Sequence, residues 1–337
     1  EIAQCLVGSE MCIRDSSCYE PEKSGVLRYD ALVRQGRWDD IIERSRKEQP
    51  SGIFGIQALN LALGMKGQLA DSMFGFRQDG VDGLIGEGRL DNTTPLVTAE
   101  ALYRLGLTNI AFSTVFDMQE SIMNDRKSGR FMKRLAECAI INGNYKVAEK
   151  YIRYLRQSLY YADWAEEAET LLGNDAAVAS HPVYGPLRKV GFSRVAFYDR
   201  NQIEKILAMA AVDSKGANRL AWQYFCAVSM LKGDLPTLAG VYASSGGMYD
   251  GTRMPRHVQE AVAMYWTSGH PTFEGLQLPV DDGIKQQTME LARAVASNPN
   301  SPEVWERVAP GSFSVYFLRL MTQSPKQQPT TQLATHE

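Results

Sequence analysis

Ala139-Ile140-Ile141-Asn142-Gly143-Asn144-Tyr145 is the end of one apolar helix, a turn centred on glycine, and the start of another. Upstream, Phe131, Leu135, Cys138 and Ala139 fall on one helical stripe. Downstream, Tyr145, Ala148, Ile152, Leu155 and Leu159 follow a 3/4/3/4 spacing that places them on a second stripe. Glycine between them takes the left-handed conformation that ends a helix without a Cβ clash. Two stripes joined by so short a turn bury themselves only against each other and against the next hairpin.

The phrase recurs. Leu32-Val33-Arg34-Gln35-Gly36-Arg37-Trp38, Leu63-Gly64-Met65-Lys66-Gly67-Gln68-Leu69 and Leu102-Tyr103-Arg104-Leu105-Gly106-Leu107 repeat it. Val228-Ser229-Met230-Leu231-Lys232-Gly233-Asp234-Leu235 is a weaker copy. Successive turn glycines are 31, 39 and 37 residues apart, and then 90. Periods near 34 resemble tetratricopeptide repeats, and Gly36-Arg37-Trp38 and Gly143-Asn144-Tyr145, each with an apolar residue three further on, fit that pattern. The expected fold is therefore all-α, a solenoid of helical hairpins, tetratricopeptide-like but degenerate in its period.

Proline and glycine set the expected organisation. Hairpins are expected over 19–172, a connector over 173–200 and a second helical half over 201–322. His181-Pro182 and Tyr184-Gly185-Pro186 mark the connector. In the second half, helices are expected at about 201–212, 216–232, 235–244, 255–268, 281–297 and 312–322, with Pro255 and Pro302 in first turns and Asp281 or Asp282 as an N-cap. Residues 323–337, rich in Gln, Thr and Pro, are expected to be a disordered tail. Cys5 to Ser16 resembles translated sequencing-adapter DNA, so residues 1–18 are expected to be artefactual or disordered, with native sequence missing before Tyr19.

Across 337 residues, hydrophobic content of 44% and charged content of 22% are those of a folded protein. A net charge of −3 and a pI near 5.9 argue against a nucleic-acid partner, which calls for a basic face. No apolar run approaches the roughly 20 residues that span a bilayer. Five cysteines, an odd count without a Cys-x-x-Cys, suggest neither a disulfide framework nor a zinc site, and Cys138 and Cys226 are expected to be buried thiols.

Several phrases resemble a family of uncharacterised bacterial membrane proteins known only as a domain of unknown function. They are Leu59-Asn60-Leu61-Ala62-Leu63, Asp79-Gly80-Val81-Asp82-Gly83-Leu84, Lys133-Arg134-Leu135-Ala136-Glu137 and Leu159-Tyr160-Tyr161-Ala162-Asp163-Trp164-Ala165, with Asn218 to Tyr224 and Pro255 to Ala261 further on. The resemblance covers about residues 27–320. It implies a missing N-terminal multi-pass domain, association with the bacterial inner membrane in the intact protein, and a soluble role for this segment. It supplies no catalytic residue.

Signals for chemistry are weak. Gly83-Leu84-Ile85-Gly86-Glu87-Gly88 lacks the Lys-Ser/Thr of a phosphate loop and is expected to be a mobile loop between repeats. Asp79-Gly80-Val81-Asp82-Gly83 lacks the alternation of a calcium loop. His181, His257, His270 and His336 form no helical metal pair. No catalytic, cofactor or metal residue is therefore expected, and the chain reads as a non-enzymatic scaffold for a protein or peptide. The alternative is an accessory domain of a membrane-embedded enzyme acting on envelope or lipid-linked substrates. Polar residues in the first helices of hairpins are the candidate groove: Asn60, Arg104, Arg134, Asn142, Arg219 and Gln223. Arginines there suit a carboxylate. Tyr151, Tyr154, Tyr160, Tyr161 and Trp164 are expected to be core between repeats.

Overall fold

A computed structural model describes residues 21–50, 52–86, 93–192, 202–244 and 253–322. The expected artefact at 1–18, Glu87 and Gly88, the end of the connector at 193–200, the tail at 323–337 and His336 lie outside the described residues. The described residues form helices and no strand, with one isolated bridge between Asp79 and Val81. None of these helices is long and apolar enough to cross a membrane.

The turn phrase acts as a helix terminator. Gly36, Gly67, Gly106, Gly143 and Gly233 all have φ between +66° and +75°. At each, two backbone bonds close the helix end; at Gly143 they are Asn144 N–H to Ala139 O (2.8 Å) and Gly143 N–H to Ile140 O (3.1 Å). This pair is the Schellman arrangement, which satisfies carbonyls the helix leaves unpaired. The next helix begins two residues after each glycine.

Those turns join α1 (Pro21–Gln35) to α2 (Trp38–Lys47), α3 (Ile53–Met65) to α4 (Leu69–Ser72), α5 (Thr94–Arg104) to α6 (Thr108–Glu120), and α7 (Gly129–Ile141) to α8 (Tyr145–Leu155). Helix α3 is apolar on all sides and buried from Phe54 to Gly64, with α1, α2 and α5 packed around it. Helix α6 packs on α5 and α7, and α7 packs on α8. The α8 stripe buries Ala148, Ile152 and Leu155 but stops there, because the helix ends and leaves Leu159 89% exposed.

Residues expected to connect two halves are partly helical. Helix α9 (Ala162–Glu169) is followed by α10 (Asp175–Ser180) and α11 (Tyr184–Val190), and α11 packs on α7. Arg188 explains the docking: it donates to the carbonyls of Ile140 (2.7 Å) and Ile141 (2.9 Å), in the last turn of α7. A cation on helix-end carbonyls meets both their hydrogen-bonding need and the helix dipole. Backbone contacts group the described residues up to Val228 into one compact unit and those from Ser229 onward into a second.

After α12 (Ile203–Asp213), the division falls within α13 (Arg219–Lys232). The second unit continues with α14 (Leu235–Ser244), α15 (Arg256–Thr267), α16 (Asp282–Ser297), α17 (Pro302–Val308) and α18 (Phe313–Thr322). The six helices expected after residue 200 are present with bounds within three residues, and Asp281 stands at an N-cap. Leu291, Trp305, Ala309 and Val315 form a core among α16, α17 and α18.

Candidate functional site

Two helical stripes from adjacent hairpins in the first unit build the site. On α5, Leu96, Ala99, Glu100, Tyr103 and Arg104 recur at i, i+3, i+4, i+7 and i+8. On α7, Arg130, Lys133, Arg134 and Glu137 recur at i, i+3, i+4 and i+7. Both periods place the residues on one face of their helix.

Arg134 is the centre. Its guanidinium bonds Glu100 on α5 and, at 2.9 Å, Glu137 on α7. It also lies 3.8 Å from the centre of the Tyr103 ring, a cation–π contact. Arg104 holds the other Glu100 oxygen at 2.8 Å and sits over Trp38. Burial by itself raises the Glu100 carboxyl, but Arg134 and Arg104 outweigh it and hold the group below the usual carboxylate value. Burial, followed by the Glu137 charge, pushes the Tyr103 hydroxyl well up, so it stays neutral.

Helix α1 adds Asp30, which accepts a two-pronged bond from Arg130 at 2.8 and 3.0 Å and lies 3.7 Å from Arg34. Lys133 lies 3.9 Å from Glu137 and 5.1 Å from the centre of the Trp164 ring. The cluster thus carries five cations (Arg34, Arg104, Arg130, Lys133, Arg134) and three carboxylates (Asp30, Glu100, Glu137), an excess of two positive charges. A cleft of about 270 Å³ opens onto it, with Leu96, Val115, Met118 and Phe131 as apolar lining. This combination accepts an anionic group attached to an apolar one. The neighbouring Cys138 offers no nucleophile, since burial pushes its thiol up to about 12.

Of the six candidate groove residues, the structure brings together Arg104 and Arg134. Asn60 is fully buried and donates to Gln78 (2.9 Å) and to the Gly83 carbonyl (2.8 Å). With Gln57 on the Asp82 carbonyl, it pins residues 79–86 against α3, and Leu84 and Ile85 are buried there. The described part of the glycine-rich stretch is therefore a docked turn, in contrast to the mobile loop expected. Asn142 ties its own turn to Thr108 and Asn109 at the start of α6. Gln223 bridges the turn at Gly67, accepting from Leu69 N–H (3.2 Å) and donating to the Gly64 carbonyl (3.3 Å). Arg219 is exposed at the first residue of α13.

Sequence reasoning missed Glu100, Glu137, Arg130 and Lys133. Their i, i+4 and i, i+3 pairing with the two arginines was the available signal. The aromatic group also differs from expectation: none of the five is buried, and Tyr160 is 87% exposed. The residues around it pass from α8 through turns, so no continuous helix face gathers them. His181 stacks on Tyr184 and accepts the Val183 and Tyr184 amides through Nδ1, capping α11. His257 is buried beside Glu260, whose carboxylate also takes the Phe313 amide (2.7 Å). Among the described residues no cluster of His, Cys, Asp and Glu is arranged to hold a metal ion.

A family described as "Family of unknown function (DUF6057)" matches residues 3–317 of the chain. No curated protein and no solved structure shows a significant match.

Proposed function

The chain belongs to DUF6057, and from that premise we propose that it is a non-enzymatic protein- or peptide-binding scaffold built of tetratricopeptide-like hairpins. The observation that carries this reading is the cleft between the first helices α5 and α7, with its excess of positive charge over an apolar lining. First helices line the binding groove of helical-hairpin arrays, and arginine forks recognise carboxylates. The five left-handed glycine turns support the hairpin part of the proposal. Placement within a longer bacterial membrane protein is supported by the phrase resemblance alone.

The ligand expected is an extended acidic segment with an apolar side chain. Selection of displayed random 12-residue peptides on the immobilised protein tests this. Recovered peptides are expected to be rich in Asp and Glu and to weaken as salt rises. Lys133→Glu, at a partly exposed position, is expected to cut their affinity at least tenfold. A selection in which no acidic peptide loses affinity on Lys133→Glu refutes the assignment.

A further inference from the structure

A second cleft, of about 390 Å³, lies in the first unit between the second helices α6 and α8. Buried Met132 and Leu135 of α7 form its floor. Phe116, Tyr151 and Tyr154 form its walls, and Phe116 and Tyr154 remain 43% and 45% exposed. Phe112 links them, stacked on Phe116 with centroids 6.5 Å apart and lying 6.2 Å from Tyr151. Three rings in a row around a recess of this size match the apolar sites that seat a side chain or small ligand.

The rim gives the chemistry of the occupant. Lys127, Lys150 and Arg153 line it against one carboxylate, Glu120. Lys127 pairs with Glu120 at 3.5 Å, and Arg153 with Glu149 at 2.9 Å. Lys150 has no carboxylate within pairing distance among the described residues. An apolar recess with a net positive rim selects an apolar anchor flanked by negative charge. A bilayer surface is a poorer match, because a flat interface does not reach a recessed floor, whereas a projecting side chain does.

We propose that this cleft receives an acidic segment of a partner protein. A large aliphatic or aromatic side chain seats over Met132 and Leu135, and neighbouring carboxylates pair with Lys150, Lys127 and Arg153. The site is separate from the α5–α7 cleft, and either is testable without the other.

The probe is a library of displayed 16-residue peptides, panned on the parent chain and on a Lys150→Glu/Tyr154→Ser variant. Both substituted positions are exposed, and matching circular dichroism and urea midpoints establish that the variant folds. The proposal expects enriched peptides that place Leu, Ile, Phe or Trp beside Asp or Glu. Their affinity should fall at least tenfold on the variant and stay within twofold on Lys133→Glu. No enrichment, enrichment of basic peptides only, or the absence of any enriched peptide that the variant weakens overturns it. So does variant-sensitive sedimentation with phosphatidylserine vesicles in the absence of any variant-sensitive peptide.

Discussion

Glu100→Gln keeps the shape of a buried side chain and removes its charge. In the parent, that carboxylate is shared by Arg134 and by Arg104 at 2.8 Å. Removing one partner of a buried ion pair costs about 3–5 kcal/mol. Arg134 keeps Glu137 at 2.9 Å and its contact with Tyr103, and the amide oxygen still accepts from one arginine. The expected loss is therefore about 2–3 kcal/mol, at or below the low end of that range. For a unit of this size it corresponds to roughly 4–12 °C in Tm. Urea unfolding followed by far-UV circular dichroism measures it, in a double-mutant cycle with Arg134→Met. The two positions should couple by about 1–3 kcal/mol. The pH dependence follows from the lowered carboxyl. A group whose folded-state pKa is depressed contributes fully above its unfolded pKa and loses that contribution as pH falls through the folded one. The gap between parent and Glu100→Gln should thus be full near neutrality and close below about pH 4.3. A variant within about 0.5 kcal/mol of the parent at pH 7, the effect of an ordinary surface change, would refute this reasoning.

Four other substitutions probe the fold. Gly143→Ala puts a Cβ on a residue at φ +75° and should cost about 1–2 kcal/mol; Gly25→Ala, in helix α1 with open space around the added Cβ, should be stabilising by about 0.5–1 kcal/mol. Arg188→Met uncovers the Ile140 and Ile141 carbonyls and should cost about 1–3 kcal/mol, with faster amide exchange in α10 and α11. Glu260→Gln weakens a buried carboxylate that holds Arg256 at 2.8 Å and the Phe313 amide at 2.7 Å. It should lower the stability of the second unit by about 2–3 kcal/mol, read as an earlier urea transition.

What was legible in sequence was local. A left-handed glycine, its two closing bonds and the helix restarting two residues later all lie within seven residues, so one phrase reports them. The cross-ties are not local. Arg188 reaches Ile140 across 48 residues, Asn218 reaches the Leu105 carbonyl across 113, and Gln223 reaches Gly64 across 159. Each satisfies carbonyls at the end of an earlier helix, so a polar side chain that resembled groove lining in sequence is a tie between hairpins. The site was half visible for the same reason. Arg104 and Arg134 stood out, while Glu100 drew no notice in sequence, because it is the docking of α7 on the preceding hairpin that encloses it. Leu84 and Ile85 show the converse: flanked by glycines they read as mobile, yet their burial fixes the turn.

Zero-length carbodiimide crosslinking tests the central claim most directly, because it joins a carboxylate to an amine in contact with it. Peptides recovered by display on the parent chain and weakened by Lys133→Glu would be bound, crosslinked and mapped by mass spectrometry. Peptide carboxylates are predicted to join Lys133, at the cleft between α5 and α7, and excess unmodified peptide should abolish the product. Crosslinks confined to exposed lysines remote from the cleft, such as Lys47, with Lys133 unmodified, would contradict the account.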